Sequence, residues 1–237
     1  MPPRRPTRPV RFPNRLTLGI DEAGRGPAIG PMVMAAVTLD SRSAAVLTRK
    51  GLRDSKAYGA GEEAHQIRCD LAAEIRARAV FVATIEIEST EIDARVCRGE
   101  LNVLEREKAI LLIDQAPAVD RIIADGKRMF AALGARYEGF ESCDRAEEEH
   151  ASVAAASVIA KALRDTRFDQ IKRRYEDDCG PITGGGYANP ATQRWLRVYV
   201  EKYGRLPDEA RRTWPYPYVE DLIGDQRPPK IQTELFG

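Results

Sequence analysis

The chain has 237 residues, 43% of them hydrophobic and 31% charged, which suffices for a core in one or two domains and excludes disorder throughout. Its longest nearly apolar run, around Ala151 to Ala160, is half a membrane span, and the N-terminus lacks the apolar stretch of a signal peptide. Net charge is +1, but residues 1–15 carry five arginines and no acid, leaving 32 basic against 36 acidic residues elsewhere, so the total neither announces nor excludes a nucleic-acid partner.

Met1 to Arg15 is a proline- and arginine-rich arm without periodicity and is expected to be disordered. Leu16, Leu18 and Ile20 alternate with Thr17, Gly19 and Asp21, predicting a strand that stops at Asp21-Glu22. The turn Gly24-Arg25-Gly26-Pro27 leads to a second apolar run from Met32 to Leu39, so the two runs are expected to form an antiparallel hairpin. Ala64, Ile67, Leu71 and Ile75 predict a helix, Val80 to Ile85 a strand, and Leu101, Leu104, Leu111 and Leu112 another helix. Arg121 to Ala124 reads as a short buried strand ending at Asp125-Gly126. From Glu147 to about Tyr175 one helix is predicted, with Val153, Ala156, Ala160 and Leu163 on one face. A glycine-rich loop spans 180–190, and Ala191 to Tyr203 reads as helical. Helices alternating with strands after a hairpin make an α/β domain with a mixed sheet. Beyond Arg212 the chain turns proline-rich.

Carboxylates gather where strands end or helices begin: Asp21-Glu22, Asp125, and the group Asp144, Glu147, Glu148 and Glu149. Such groups are hard-cation ligands suited to magnesium or manganese, and they are equally the ordinary composition of strand ends and helix N-termini. Consecutive strand residues point to opposite faces, so Asp21 and Glu22 converge only if the strand twists or ends there. Gly24-Arg25-Gly26 offers close backbone approach with Arg25 free to meet phosphate, or a plain hairpin turn. Lys56 in Asp54-Ser55-Lys56, and Ser157 with Lys161 one helical turn on, are phosphate contacts or solvated surface. His65 and His150 have no motif around them, so no serine–histidine–acid triad is argued. Cys69, Cys97, Cys143 and Cys179 are scattered without CxxC pairing, against a zinc site or disulfide framework and in keeping with a reducing cytoplasm.

Several segments jointly resemble the ribonuclease HII (type 2 ribonuclease H) family. They are Gly19-Ile20-Asp21-Glu22-Ala23-Gly24-Arg25-Gly26-Pro27, Asp54-Ser55-Lys56, Glu91-Ile92-Asp93, Asp125-Gly126, Ala154 to Lys161 with Arg164-Asp165, Gly186-Tyr187 and Arg212-Thr213-Trp214, in that order. The resemblance implies a ribonuclease H-like fold over 16–214, with a mixed central sheet flanked by helices and a C-terminal helical segment, followed by a proline-rich tail at 215–237. It implies an endonuclease that cleaves the RNA strand of RNA–DNA hybrids and nicks duplex DNA 5′ of an embedded ribonucleotide, leaving 3′-hydroxyl and 5′-phosphate ends. Four acidic residues of the family bind two divalent cations, Mg²⁺ or Mn²⁺, about 4 Å apart. Asp21, Glu22 and Asp125 match three of them. The family's fourth is an aspartate ten residues before the serine of the alanine–alanine–serine run, where this chain has Glu147, with Asp144 as the competitor. The glycine–arginine–glycine loop that senses the 2′-hydroxyl maps to Gly24, Arg25 and Gly26, and the tyrosine that stacks on the neighbouring sugar resembles Tyr187. Lys56, Ser157 and Lys161 would meet the nucleic-acid backbone. The sister type, ribonuclease HIII, is disfavoured because its extra N-terminal domain does not fit in fifteen residues. The rival function is a hybrid-binding protein in which Glu147 marks a lost catalytic site. The ending Gln232-Thr233-Glu234-Leu235-Phe236 resembles the peptide by which replication proteins dock on a sliding clamp, through Gln232, Leu235 and Phe236, and otherwise reads as an ordinary terminus.

Overall fold

A computed structural model describes residues 14–213 and 221–222. The arm up to Pro13, Trp214 and the clamp-like residues Gln232, Leu235 and Phe236 lie outside the described residues.

Five strands form one sheet in the order β3-β2-β1-β4-β5, with β1 (Leu16–Ala23) in the middle. β2 (Met32–Asp40) pairs antiparallel with β1, as the hairpin pattern requires, and β3 (Phe81–Ile87) pairs antiparallel with β2. On the other side of β1, β4 (Arg121–Asp125) and the short edge strand β5 (Phe140–Cys143) run parallel to it. β2 is buried on both faces from Met32 to Leu39, which is why it reads as a continuous apolar run rather than an alternating one.

Each face of the sheet is covered by helices. On one side Val33, Ala35 and Val37 of β2 meet α1 (Ser41–Arg49), α2 (Glu62–Arg78) and the long α7 (Ala151–Cys179). On the other, Leu18, Ile20, Met34 and Ile122 meet α3 (Ser89–Val96), α4 (Leu101–Gln115) and Phe130 of the short α5 (Lys127–Phe130). A third cluster joins the far half of α7, through Phe168 and Ile171, to Trp195, Leu196 and Tyr199 of α8 (Pro190–Tyr203) and to Ile29 in the loop after β1. Among the described residues no helix is long and apolar enough to cross a membrane.

Three expectations change. The predicted helix from Glu147 to Tyr175 is two helices, α6 (Ala146–Glu149) and α7, separated by an extended His150. The break follows from anchoring, because the Ala146 N–H donates to Asp125 Oδ1 at 2.9 Å and ties α6 to the end of β4. The first half of α7 has no polar face: every residue from Ser152 to Ala160 is buried, because the sheet, α1 and α2 surround it. On α2, Ile67 is exposed and Arg68 takes its place inside, drawn by Asp165 of α7 at 3.0 Å. Strand β5 and helices α1 and α3 carry periodicities too short to have been predicted.

Helix α7 sits on β1 more closely than a side chain permits. A Cβ on Gly19 would lie 2.1 Å from the Ser152 carbonyl carbon and 2.3 Å from the Val153 nitrogen. Both are backbone atoms in a buried turn and cannot swing aside. Gly19→Ala is therefore expected to destabilise the protein by about 3 kcal/mol, read as a lower urea midpoint at unchanged slope.

Candidate active site

The parallel register pairs Ile20 with Ala124, so Asp21 and Asp125 come next and lie level at the C-terminal ends of the two central strands. Gly19 faces α7, and Asp21, two residues on, shares that face; it is buried, near enough to Ser157 of α7 for that side chain to offset part of the rise in its carboxyl pKa. Glu22 lies on the other face, beside Glu105 of α4 and Arg25. The two carboxylates do point apart, yet they straddle the end of β4, and the charge of Asp125 acts on both. Asp125, the last residue of β4, is the charge that both of them feel.

Glu147 completes the group from the third side. Residue Arg145 adopts a left-handed conformation (φ 59°), and the following turn of α6 buries Glu147 with Oε1 3.6 Å from Lys56 Nζ. Asp144 differs in its surroundings: it is exposed, and its Oδ1 accepts the Lys127 N–H at 2.8 Å, fastening the start of α5.

Electrostatically the site is strained. Burial, then Glu22 and Asp125, hold the Asp21 carboxyl well above the usual carboxylate range. Glu22 is pushed up to about 7 by burial, then by Glu105 and Asp125. Burial and then Asp125 raise Glu147 as well. Asp125 is thus the shared source of repulsion. Burial alone would lower the Lys56 ammonium, but Asp54, Glu147, Asp21 and Asp125 together outweigh it and raise its pKa. Glu22 Oε2 and Glu147 Oε2 are buried without a hydrogen-bond partner. Crowded, unpaired, oxygen-only donors fit a hard divalent cation. Among the described residues no three such side chains are drawn together around one point.

A cavity of about 310 Å³, lined in part by Glu22, Arg25, Asp125 and Asp144, opens beside the carboxylates. The glycine–arginine–glycine loop forms its rim. Gly24 has φ +85°, and a Cβ there would lie 2.7 Å from the Pro31 carbonyl oxygen, so only glycine fits. The Arg25 guanidinium does not hang free for phosphate: Nε is 2.9 Å from Glu105 Oε1, and another nitrogen donates to Asn102 Oδ1 at 2.6 Å. The exposed Tyr187 ring lies over Gly26, 3.5 Å from where a Cβ would stand, and Gly186 O accepts the N–H groups of Ala28 and Ile29 at 2.8 and 3.2 Å. Tyr187 and the glycine–arginine–glycine loop therefore form one surface.

Two expected phosphate contacts are engaged internally. Ser157 is buried, 2.9 Å from Ser55 Oγ, and lies near Asp21 rather than facing solvent. Lys161 pairs with Asp165 at 2.5 Å in a cluster with Arg68 and Arg164, and burial lowers its pKa despite that partner. Lys56 is the exposed cation next to the carboxylates.

Sequence reasoning missed Glu105 and Arg211 and gave Arg164 no role of its own. Glu105 is fully buried on the inner face of α4; its place between Leu101, Ala109 and Leu112 at helical spacing was the available signal. Arg164 is buried, donates to Gly185 O at 2.8 Å and lies against Phe168 and Tyr187. The noted Glu91-Ile92-Asp93 and Arg212-Thr213 segments meet: Asp93 accepts the N–H groups of Arg212 and Thr213 at 2.9 Å each and the Thr213 hydroxyl at 2.6 Å.

Comparison with known proteins agrees with this architecture. The family model described as Ribonuclease HII matches residues 18–216. A ribonuclease HII of Pyrococcus furiosus is 35% identical over 207 residues, covering 83% of this chain and 87% of the relative. The crystal structure of the Pyrococcus horikoshii ribonuclease H2 superposes with a TM-score of 0.75 at 29% identity, covering 87% of this chain and 96% of that one. The Archaeoglobus fulgidus ribonuclease HII, solved as a complex with PCNA, gives a TM-score of 0.71 at 26% identity over 84% and 95% of the two chains.

Proposed function

Because the chain belongs to the ribonuclease HII family of hydrolytic nucleases, we propose that it cuts 5′ of ribonucleotides embedded in duplex DNA as well as within RNA–DNA hybrids. The cuts leave 3′-hydroxyl and 5′-phosphate ends. The observation that carries this reading is the convergence of Asp21, Glu22 and Glu147 on Asp125 at the ends of the two central strands, beneath a glycine loop able to approach a ribose.

In this reading Asp21, Glu22, Asp125 and Glu147 would hold two Mg²⁺ or Mn²⁺ ions. When bound, these supply Lewis-acid stabilisation of phosphate charge and activation of water for in-line displacement. The protein's own groups do the rest. Lys56, kept charged by its acidic neighbours, meets the phosphate backbone without reading sequence, while Lys161 stays with Asp165. Ser157 holds Asp21 in place. The backbone of Gly24, Arg25 and Gly26 meets the 2′-hydroxyl, the group that separates RNA from DNA at one position, and Tyr187 offers its exposed ring to the adjoining sugar. Arg25, held by Glu105 and Asn102, fixes the loop instead of reaching for phosphate.

The Archaeoglobus fulgidus neighbour in complex with PCNA supports a sliding clamp as partner, with Gln232, Leu235 and Phe236 as the docking residues. Scattered cysteines support a cytoplasmic setting.

The test is a labelled DNA duplex holding one ribonucleotide, incubated with Mg²⁺ or Mn²⁺. One nick on the 5′ side, at the ribonucleotide strand only, is expected. A protein that binds this duplex but leaves it whole with both metals is a binding module, and the enzymatic reading fails.

A further inference from the structure

We propose that Arg211 is a positioning residue for ribonucleotide selectivity, acting through the backbone of the glycine–arginine–glycine loop. The inference rests on the reading of that loop as the 2′-hydroxyl sensor.

Arg211 lies 181 residues from Gly30 in sequence and is 1% exposed. Its guanidinium donates to Gly24 O at 2.5 Å, to Arg25 O at 2.7 Å, and to Gly30 O at 2.9 and 3.2 Å. Two consecutive carbonyls, those of Gly24 and Arg25, are thereby drawn to one side of the loop. In a trans peptide the C=O and the following N–H point in opposite directions, and the chain has no cis peptide bond among the described residues. The N–H groups of Arg25 and Gly26 must then face away from Arg211. The orientation of both peptide planes, and with it the face that the loop backbone turns toward a ribose, is thereby fixed. The free loop has no need to adopt this arrangement, since neighbouring peptides of a turn rotate independently. A planar fork with several donors fixed in one plane imposes it.

The segment that carries Arg211 is itself fastened. Arg211 N–H donates to Ala28 O at 2.8 Å, and Asp93 holds the two residues that follow. Arg211 therefore transmits a fixed frame, built on α3, to the loop that reads the ribose. Lysine would keep the charge but offers a single point of donation and cannot hold three carbonyls in register.

The experiment uses the full chain with Ca²⁺ in place of Mg²⁺, and compares affinity for a duplex holding one ribonucleotide with affinity for the same duplex as all DNA. The wild type is expected to prefer the ribonucleotide at least tenfold. Arg211→Lys is expected to bring that ratio to within about twofold of unity, with all-DNA affinity and the far-UV spectrum unchanged. A residue that merely stabilises the fold would lower both affinities together and preserve the ratio. An unchanged ratio in folded Arg211→Lys overturns the inference. If that variant does not fold, Asp93→Asn replaces it: a fall in the ratio supports the frame, and an unchanged ratio refutes it. A wild type without preference refutes the sensor reading itself, an outcome separate from either of these.

Discussion

Asp125→Asn is expected to abolish cleavage and, with divalent cations removed, to raise the melting temperature. The loss of activity should reach about 10³-fold or more, the several kcal/mol that cation-stabilised phosphate charge contributes to the barrier. The gain in stability has a separate cause. Asp125 raises the carboxyl pKa values of Asp21, Glu22 and Glu147, so removing its charge relieves three repulsions at once, while an asparagine oxygen can still accept the Ala146 N–H. The expected gain is on the order of 1 kcal/mol, about 2–4 °C for a chain of this size. Its pH dependence follows from the direction of the shifts. Glu22 titrates near 4.5 when unfolded and at about 7 in the fold. Its favourable contribution is therefore complete below the lower value and is lost as pH rises through the upper one. The advantage of Asp125→Asn over wild type should grow between pH 5 and pH 8 in EDTA. A melting temperature at pH 8 equal to or below that of the wild type would show that the carboxylates do not repel one another as described.

Glu147→Gln is expected to lower kcat by about 10²-fold or more, whereas Asp144→Asn should stay within about threefold of wild type. Both stand in the same acidic stretch, and their environments separate them. Glu147 is buried, repelled by Asp125 and adjacent to Lys56. Asp144 is exposed and occupied with the Lys127 amide, a bond that asparagine can keep. Glu147→Asp shortens the reach by one methylene and should retain more activity than the glutamine variant, because the charge is preserved. Steady-state rates on the single-ribonucleotide duplex decide the order; a larger loss from Asp144→Asn than from Glu147→Gln would move the fourth carboxylate to Asp144.

The hairpin, the parallel strand ending at Asp125 and helix α8 were legible because each rests on local alternation or periodicity closed by a turn signal. Asp21, Glu22 and Asp125 were legible as candidates for the same reason: strand ends can be located from the pattern around them. What sequence could not supply was which face α7 presents, since Ser152 to Ala160 are all buried and small side chains leave no periodic mark. The break at His150 depends on the hydrogen bond from Ala146 to Asp125, 21 residues before it, and has no local signal. Arg211 was invisible for a related reason. An arginine beside another arginine near a proline-rich tail reads as solvated, and only the carbonyls of a loop more than 180 residues distant explain its burial. Long-range hydrogen bonds, not propensity, decide such positions.

The contact between Gly19 and the first turn of α7 also dictates an order of events during translation. β1 leaves the ribosome early, but its parallel partner comes about a hundred residues later; Leu16 N–H is paired with Asp120, 104 positions on. The helix that roofs its glycine begins only at Ala151. At 5–20 residues per second, the nascent hairpin waits about 10 s with one strand edge unpaired and the floor of the future catalytic centre open. The central strand of the finished enzyme is thus among the last to be enclosed, and its unpaired edge is exposed to other chains for that interval.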